Sequence, residues 1–127
     1  MSRYNKNLGD FGEYVAADFL SAKGYRVLEQ NYRTRGGELD LIVEDRKWLI
    51  FVEVKTRSNT AFGLPAEAVD YRKQQHMLSA ARGYLQHHPT NKEIRFDVIE
   101  VLATICEDTP RLNHIHHIEN IVMEGLC

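Results

Sequence analysis

Residues 37–55 read GELDLIVEDRKWLIFVEVK, and this stretch decides the fold of the chain. It contains two apolar runs, residues 38–44 and 48–55, separated by the polar residues 45–47. Two β-rich runs joined by so short a turn predict a β-hairpin. Because both runs are apolar on either face along much of their length, we expect the hairpin to lie in a sheet that helices cover on both sides.

The rest of the chain is predicted to add two helices and two or three strands to this hairpin. Gly24 and Pro89 mark the ends of the helices, since glycine commonly caps a helix and proline cannot continue one. The predicted elements are a helix over residues 8–23, a strand over 25–33, a loop over 58–64, a helix from Pro65 to about residue 88, a strand over 93–103 and an edge strand over 114–122. This order indicates an α/β fold, a mixed sheet flanked by helices, in one domain over residues 1–127.

Composition places the chain among globular proteins, with 43% hydrophobic residues in 127. Its longest apolar run is residues 48–52, whereas a transmembrane helix needs about 20 residues, so no membrane span is expected. The N-terminus is polar and shows no secretory signal. Cys106 and Cys127 stand 21 positions apart without a CxxC pairing, so we expect reduced thiols and a cytoplasmic location, with a disulfide between them as the alternative.

The net charge of −2 argues against a nucleic-acid partner, because binding to phosphates normally requires a basic surface. The charge is unevenly distributed, however. Residues 1–95 carry 15 Lys and Arg against 12 Asp and Glu, a net +3, whereas residues 96–127 carry one Arg against six acids, a net −5. The first part of the chain therefore remains compatible with nucleic acid, and the acidic segment after residue 96 is a candidate surface for a protein partner.

Three ionisable residues interrupt the apolar hairpin. Alternation along the strand places Glu53 and Lys55 on one side, and the hairpin places Asp40 opposite residues 52–54. Burying charges in so apolar a strand is costly unless they pair or bind something. A buried ion pair, or strand-end charges that reach water, would explain each residue alone. The three together, at one end of the hairpin, favour a functional site.

Two carboxylates form a hard ligand set that suits Mg²⁺ or Mn²⁺, ions that keep several waters and need few protein ligands. Such an ion activates water and holds a phosphoryl oxygen while it neutralises developing charge. A lysine beside it can orient or deprotonate the attacking water, or stabilise the pentavalent phosphate. Phosphodiester hydrolysis is the reaction that this combination of residues favours.

The motif resembles that of the PD-(D/E)xK nucleases, in which an Asp is followed by Glu-x-Lys on the next strand, as in Asp40 and Glu53-Val54-Lys55. Over about residues 9–101 the chain is also similar to the YraN family of small bacterial proteins, related in fold to archaeal Holliday-junction resolvases. The matching segments are GE at 12–13, NYR at 31–33, GELDLI at 37–42, FVEVKTR at 51–57, FGLPAEAV at 62–69 and RFDV at 95–98. Leu39 stands where the motif name has Pro, at a position without chemistry. The resemblance implies a restriction-endonuclease-like αβββαβ core.

Glu13, Glu38 and Lys73 are further candidates for the site. In resolvases a Glu carried by a helix assists the metal site, so the resemblance implies that role for Glu13, whose alternative is a solvated helix flank. Glu38 shares the face of Asp40 and is either a ligand or a strand-end charge. Lys73 falls on the core-facing stripe of its helix, where it either extends outward or points into a site near the sheet edge.

Four arginines flank the carboxylates in sequence and are candidates for contacts with a phosphate backbone. They are Arg33, Arg35, Arg57 and Arg72. Three aromatic residues that could stack on bases, but are more often packing residues, are Tyr32, Phe62 and Tyr71. A zinc site on His114 and His116 with a cysteine lacks the usual ligand spacing, so solvated or packing histidines are favoured.

Two hypotheses of different class follow. The first is a Mg²⁺- or Mn²⁺-dependent deoxyribonuclease for branched, repair or recombination DNA, in which Asp40 and Glu53 bind the metal, Lys55 handles the attacking water and Glu13 assists. The second is a non-catalytic nucleic-acid-binding or adaptor module that keeps the nuclease fold, and the net charge favours it. A homodimer that joins two basic faces, as resolvases do, would reconcile the charge with DNA binding.

Overall fold

The computed structural model describes residues 2–58 and 69–123. Its elements are α1 (Ser2–Ala22), β1 (Arg26–Thr34), β2 (Gly37–Glu44), β3 (Trp48–Arg57), α2 (Tyr71–His87), β4 (Glu93–Cys106) and β5 (Thr109–Ile118). This order confirms the predicted α/β fold with an αβββαβ core, to which β5 adds a further strand.

The strands of the described residues form one mixed sheet in the order β1-β2-β3-β4-β5. Neighbouring strands are antiparallel except β3 and β4, which are parallel. Since parallel neighbours need a long crossover connection, α2 lies between β3 and β4 in the chain. In the hairpin Leu41 pairs with Val52, which confirms the predicted turn around residues 45–47.

Each face of the sheet carries its own hydrophobic core. Leu49 and Phe51 pack with residues of α2, whereas Ile50 and Val52 pack with residues of α1. Phe51 and Ile50 are fully buried, and burial of one such side chain stabilises the fold by roughly 1.5–3 kcal/mol. The prediction of a sheet covered by helices on both sides is therefore confirmed.

The end of α1 follows the predicted glycine cap. Gly24 has a φ of 102°, a backbone conformation that glycine adopts at little cost. The Tyr25 N–H donates to the Leu20 carbonyl at 3.1 Å and satisfies one of the last carbonyls of the helix. The first strand then begins at Arg26, one residue after its predicted start, while α1 itself begins at Ser2, six residues before its predicted start.

The predicted start of the second helix at Pro65 is wrong. Val69 and Asp70 are not helical, and α2 begins at Tyr71. Asp70 is an extended N-cap whose carboxylate accepts a hydrogen bond from the Lys73 N–H at 2.8 Å, so the helix starts where this cap satisfies its first turn. Pro65 lies outside the described residues, as does the loop predicted over 58–64 beyond its first residue. The helix ends at His87, which confirms the stop before Pro89.

The edge strand begins five residues earlier than predicted and ends at Ile118 rather than at residue 122. It follows β4 through the turn residues Glu107 and Asp108, which have φ values of 51° and 63°. Two consecutive positive φ values are what a tight hairpin turn requires, and glycine or asparagine usually supplies them. The turn therefore carries no strong sequence signal, which explains why the sequence predicts a later start for β5.

Candidate active site

Asp40 is fixed across the hairpin by a hydrogen bond to the backbone of β3. Its Oδ2 accepts from the Val54 N–H at 2.7 Å. The ladder between β2 and β3 ends at Leu41 and Val52, so the Asp40 side chain binds an amide that has no strand partner on this side. The predicted position of Asp40 opposite residues 52–54 is confirmed, and its carboxylate is held at the end of the hairpin.

Glu53 is a buried carboxylate with an unsatisfied oxygen. Its side chain is 5% exposed, and its Oε1 lies 3.4 Å from Lys73 Nζ without the geometry of a hydrogen bond. No other group in the described part of the chain satisfies this oxygen. Burial, and then the charge of Asp40, raises the pKa of Glu53 to about 8, against the opposing charge of Lys73. Such an oxygen in a folded protein calls for a functional explanation.

Close packing of α1 on β3 brings Glu13 to the rim of this site. A Cβ on Gly12 would overlap the Thr56 side chain, so a larger residue there would force this side chain or the helix to shift. The next residue, Glu13, lies in the same cleft as Asp40. Burial and the Asp40 charge raise the pKa of Glu13, while a hydrogen bond with Asn31 opposes that shift. The sequence prediction that Glu13 reaches the site agrees with this placement.

The Gly36–Gly37 turn docks α2 in the same way. A Cβ on Gly37 would overlap the backbone carbonyl of His76, and one on Gly36 would overlap the Ser79 side chain. The turn between β1 and β2 can therefore approach the helix backbone closely, and this contact sets the height of α2 over the sheet. Lys73 lies one turn before His76, which places its ammonium beside Glu53.

These side chains line one cleft of about 360 Å³ between α1, α2 and the hairpin. Its ionisable lining residues are Glu13, Glu38, Asp40, Glu53, Lys55 and Lys73. Lys55 is half-buried there and makes no hydrogen bond or ion pair with any residue that the structure describes. The cleft thus combines several carboxylates with the Lys55 ammonium, which has no hydrogen-bond or ion-pair partner among the described residues.

A second groove of about 330 Å³ adjoins the cleft and is basic. Glu38 and Lys73 line both spaces. Arg33, Arg35 and His76 complete the ionisable lining of the groove. Arg33 Nε is 3.6 Å from Glu38 Oε1, but both side chains are largely exposed, so this pair contributes little to stability. Two of the arginines predicted to contact phosphates therefore lie next to the carboxylates.

The other predicted arginines lie elsewhere. Arg57 Nε donates to Glu100 Oε2 at 3.0 Å, and this pair is largely buried. Arg72 is exposed on α2. Among the described residues that line the cleft and the groove, neither Arg57 nor Arg72 is present.

The aromatic candidates also lie apart from the carboxylates. Tyr32 packs edge-on against Tyr84, with 5.3 Å between ring centroids, and Tyr71 is 59% exposed on α2. Phe62 lies outside the described residues.

Sequence reasoning missed Asn31 and His76. Asn31 lies between the β1 residues that pair with Leu39 and Leu41, so it is opposite Asp40, and its φ is 53°. Asparagine is among the few residues that tolerate this conformation, and strained positions cluster at functional sites. An Asn within a predicted strand was therefore a usable signal. His76 had none, because only the docking of α2 brings it to the groove.

The side chains that could bind a metal ion in the described residues are few. Within residues 2–58 and 69–123, no group of three or more His, Cys, Asp or Glu side chains is arranged to hold a metal ion. The exposed His114 and His116 therefore gain no support as zinc ligands. Asp40 and Glu53 are a set of two, and Mg²⁺ is commonly held by one or two carboxylates together with waters and substrate phosphates. The unsatisfied Glu53 Oε1 fits this mode of binding.

None of the helices in the described residues has the length and apolar character that crossing a membrane requires.

Comparison with known proteins gives one family. The model of the uncharacterised protein family UPF0102 matches residues 12–101. A UPF0102 protein of Clostridioides difficile is 46% identical over 112 residues, which cover 87% of this chain and 95% of the relative. A relative from Alkaliphilus oremlandii is 44% identical over 116 residues, covering 89% and 97%. One from Chlorobium phaeobacteroides is 43% identical over 125 residues, covering 97% and 99%.

Proposed function

Since this chain belongs to the UPF0102 (YraN) family, as its motifs indicated, we propose that it is a nuclease of that family which hydrolyses phosphodiester bonds in DNA with Mg²⁺ or Mn²⁺. Family membership carries no activity with it, so the proposal rests on the cleft. The substrates that we propose are branched DNA or intermediates of repair and recombination, met in the cytoplasm.

One observation carries the proposal: Glu53 is a buried carboxylate with an unsatisfied oxygen beside a second carboxylate, Asp40. Two neighbouring carboxylates repel each other, and burial opposes the ionisation of Glu53. A protein that needed only stability would gain by replacing Glu53 with an apolar residue. A divalent cation is the ligand that would reverse this cost, because it would neutralise both charges and bind the unsatisfied Glu53 oxygen.

Asp40 and Glu53 are the residues that would hold the ion. When bound, the ion supplies an activated water and neutralises charge on the phosphoryl oxygen. The hydrogen bond from the Val54 N–H to Asp40 Oδ2 leaves Oδ1 for a ligand and fixes the direction of that carboxylate. Glu38 also lines the cleft and is a more exposed carboxylate, which suits a role at the edge of the site.

Lys55 and Glu13 both line the cleft and would act on the reacting groups. The Lys55 side chain has no partner among the described residues, so it is available to orient the attacking water as an ammonium, or to accept a proton from it as a neutral amine. The water oxygen forms the new bond to phosphorus while one ester oxygen leaves. The raised pKa of Glu13 makes its carboxylate a stronger base than an exposed glutamate, and Glu13 would assist by accepting the proton that the attacking water loses.

The basic groove would hold the substrate on one side of the scissile bond. Arg33, Arg35 and Lys73 line it together, and cationic side chains in a groove suit the phosphates of a nucleic-acid backbone. Arg57 and Arg72 lie outside both spaces. They would contact the substrate only if it extended beyond the groove, and Arg57 would first have to leave Glu100.

Cleavage of a labelled panel tests the proposal: single-stranded, duplex, flap and four-way-junction DNA, and RNA, each in Mg²⁺ and in Mn²⁺. Wild type runs beside Lys55→Ala and the matched control Lys92→Ala, a half-buried lysine far from the cleft. We expect cleavage that Lys55→Ala loses and Lys92→Ala keeps. Equal cleavage by all three proteins would indicate a contaminating nuclease. A folded, metal-binding wild type that cuts nothing would favour the adaptor function that the net charge of −2 suggests.

A further inference from the structure

We propose that Lys73 is a placeholder for the metal: its ammonium neutralises Glu53 while the cation is absent and moves into the basic groove to hold a substrate phosphate when the cation binds. This inference rests on the proposed metal-dependent function. It adds that the Lys73 side chain exchanges between two positions, one beside Glu53 and one in the basic groove. This exchange couples metal binding to substrate binding.

The contact between Lys73 and Glu53 is loose for a buried ion pair. Nζ lies 3.4 Å from Oε1 and leaves this oxygen without a hydrogen bond. Lys92 offers a comparison, since its side chain is 30% exposed and that of Lys73 is 28%. Lys92 Nζ donates to Glu44 Oε1 and to the Asp45 carbonyl, both at 2.8 Å. The two lysine side chains are almost equally exposed, but only that of Lys92 makes short hydrogen bonds. This difference indicates that Lys73 supplies charge to Glu53 rather than a fixed structural bond.

Lys73 lies at the boundary of the two spaces that the exchange requires. It lines the carboxylate cleft, and it lines the groove with Arg33, Arg35 and His76. Its backbone is fixed, because its N–H donates to the Asp70 N-cap and because the Gly37 turn packs against the next turn of α2. Movement is therefore confined to the side chain, and the flexible four-carbon stem of lysine permits it.

Electrostatics gives the exchange its direction. An ammonium beside Glu53 and a divalent cation on Glu53 carry like charges and repel each other. In the groove the ammonium would meet two arginines, which is unfavourable until a phosphate arrives to neutralise all three. Metal and nucleic acid together therefore favour the outward position of Lys73, whereas neither does so as strongly alone.

Removal of the ammonium should then tighten metal binding. Lys73→Met keeps the length of the side chain and removes its charge. Its Mn²⁺ dissociation constant should fall roughly tenfold from the wild-type value at low salt. Lys73→Arg and the control Lys92→Met should stay close to wild type. A proton on the same carboxylates carries one charge and the metal two, so competition from protons reduces this effect without reversing its sign.

Titration of the metal-free proteins with Mn²⁺, followed by electron paramagnetic resonance of the free ion, measures these constants. Tighter binding by Lys73→Met alone supports the placeholder. Equal or weaker binding by folded Lys73→Met, when wild type binds Mn²⁺, overturns the placeholder and leaves the proposed function standing. A folded wild type that binds no Mn²⁺ overturns both. Should Lys73→Met fail to fold, Lys73→Gln carries the same expectation.

The salt dependence of DNA binding tests the outward position of Lys73 in the basic groove. The proteins carry Lys55→Met, which prevents cleavage. With Mn²⁺, Lys73→Met should reduce the slope of log K against log[salt] by about 0.9, the value for one phosphate contact in duplex DNA. Without metal the two proteins should give the same slope, because Lys73 then remains with Glu53. A loss of slope that is equal with and without metal would show a permanent phosphate contact and overturn the exchange.

Discussion

Asp97 and Glu53 are buried carboxylates on neighbouring strands of one sheet, and their surroundings differ completely. Asp97 accepts hydrogen bonds from Arg95 Nε at 3.0 Å, from His117 Nε2 at 2.8 Å and from the Asn120 N–H at 2.9 Å. Burial opposes its ionisation, but these bonds outweigh burial and lower the pKa of Asp97. Glu53 has an unsatisfied oxygen, a neighbouring carboxylate and a raised pKa.

Arg95 and His117, which donate to Asp97, have hydrogen-bond partners of their own. Lys23 Nζ lies 2.8 Å from His117 Nδ1, so the lysine donates there and the histidine keeps its Nε2–H for Asp97. Arg95 donates to the Tyr25 hydroxyl at 2.8 Å and lies over the ring of Trp48. The satisfied buried charge of Asp97 therefore joins β4, β5 and the segment that follows α1. The comparison teaches that burial alone does not identify a site, whereas burial without satisfaction does.

The largest effect that would break this comparison is on activity. Glu53→Gln removes a charge that the proposed metal needs, so cleavage in Mg²⁺ should fall about a thousandfold, or ~4 kcal/mol in the activation free energy. Because the same change removes an unfavourable buried charge, the free energy of unfolding of the metal-free protein should stay equal or rise at pH 8. Single-turnover cleavage and urea unfolding measure the two quantities. A strongly destabilised Glu53→Gln would show that Glu53 is structural, like Asp97.

The next effect is on stability at the other carboxylate. Asp97→Asn breaks a buried ion pair and leaves Arg95 with only the half-exposed Glu119, 3.7 Å away, as a charge partner, so the free energy of unfolding should fall by ~3–5 kcal/mol. Urea unfolding at pH 7 measures this loss. Activity per folded molecule should remain near wild type, because the cleft does not include Asp97. A variant of wild-type stability would contradict the structural role of this network.

A smaller effect tests the docking that brings Lys73 to Glu53. Gly37→Ala places a methyl group against the His76 carbonyl, so the free energy of unfolding should fall by about 1–3 kcal/mol as the turn and α2 separate. Gly9→Ala is the control, since nothing lies within 4 Å of a Cβ there. In the helix this control should stabilise by about 0.5–1 kcal/mol. Thermal unfolding measures the change in melting temperature of both variants. Equal changes in Gly37→Ala and Gly9→Ala would refute a close contact at Gly37.

The remaining effect is the pH dependence of stability. The pKa of Glu53 is raised to about 8 in the folded protein and is about 4.3 when unfolded, so its contribution is present at low pH and is lost as pH rises through 8. Unfolding free energy of the metal-free protein should therefore decrease from about pH 5 to 8. Glu53→Gln should reduce this slope without abolishing it, because the pKa of Glu13 is also raised.

The contribution of Asp97 has the opposite sign, so it sharpens the same measurement. Its pKa is lowered, and its stabilisation is present above about pH 4 and is lost as pH falls further. Asp97→Asn should therefore flatten the acid limb of the profile and leave the limb between pH 5 and 8 unchanged. Urea unfolding across pH 3–9 separates the two limbs. An unchanged slope above pH 5 in Glu53→Gln would contradict the raised pKa.

The sequence by itself determined the hairpin and the three residues at its end. Apolar runs, alternation and a short turn are local properties, so they predict that β2 and β3 pair near residues 45–47 and bring Asp40 opposite Glu53. The same reasoning predicted the sheet between two layers of helices and the helix ends at Gly24 and Pro89. The roles of these residues in metal binding and catalysis remain predictions.

Only the tertiary structure decided how the helices complete the site. The pairing of Lys73 with Glu53, the approach of Glu13 and the Asp97 network join residues that are far apart in the chain, and no local period encodes such contacts. The start of α2 depended on Asp70 rather than on Pro65, and the turn at Glu107 and Asp108 had no glycine to announce it. Which charges end up satisfied depends on distances of a few ångströms, and packing fixes those distances only when the whole chain has folded.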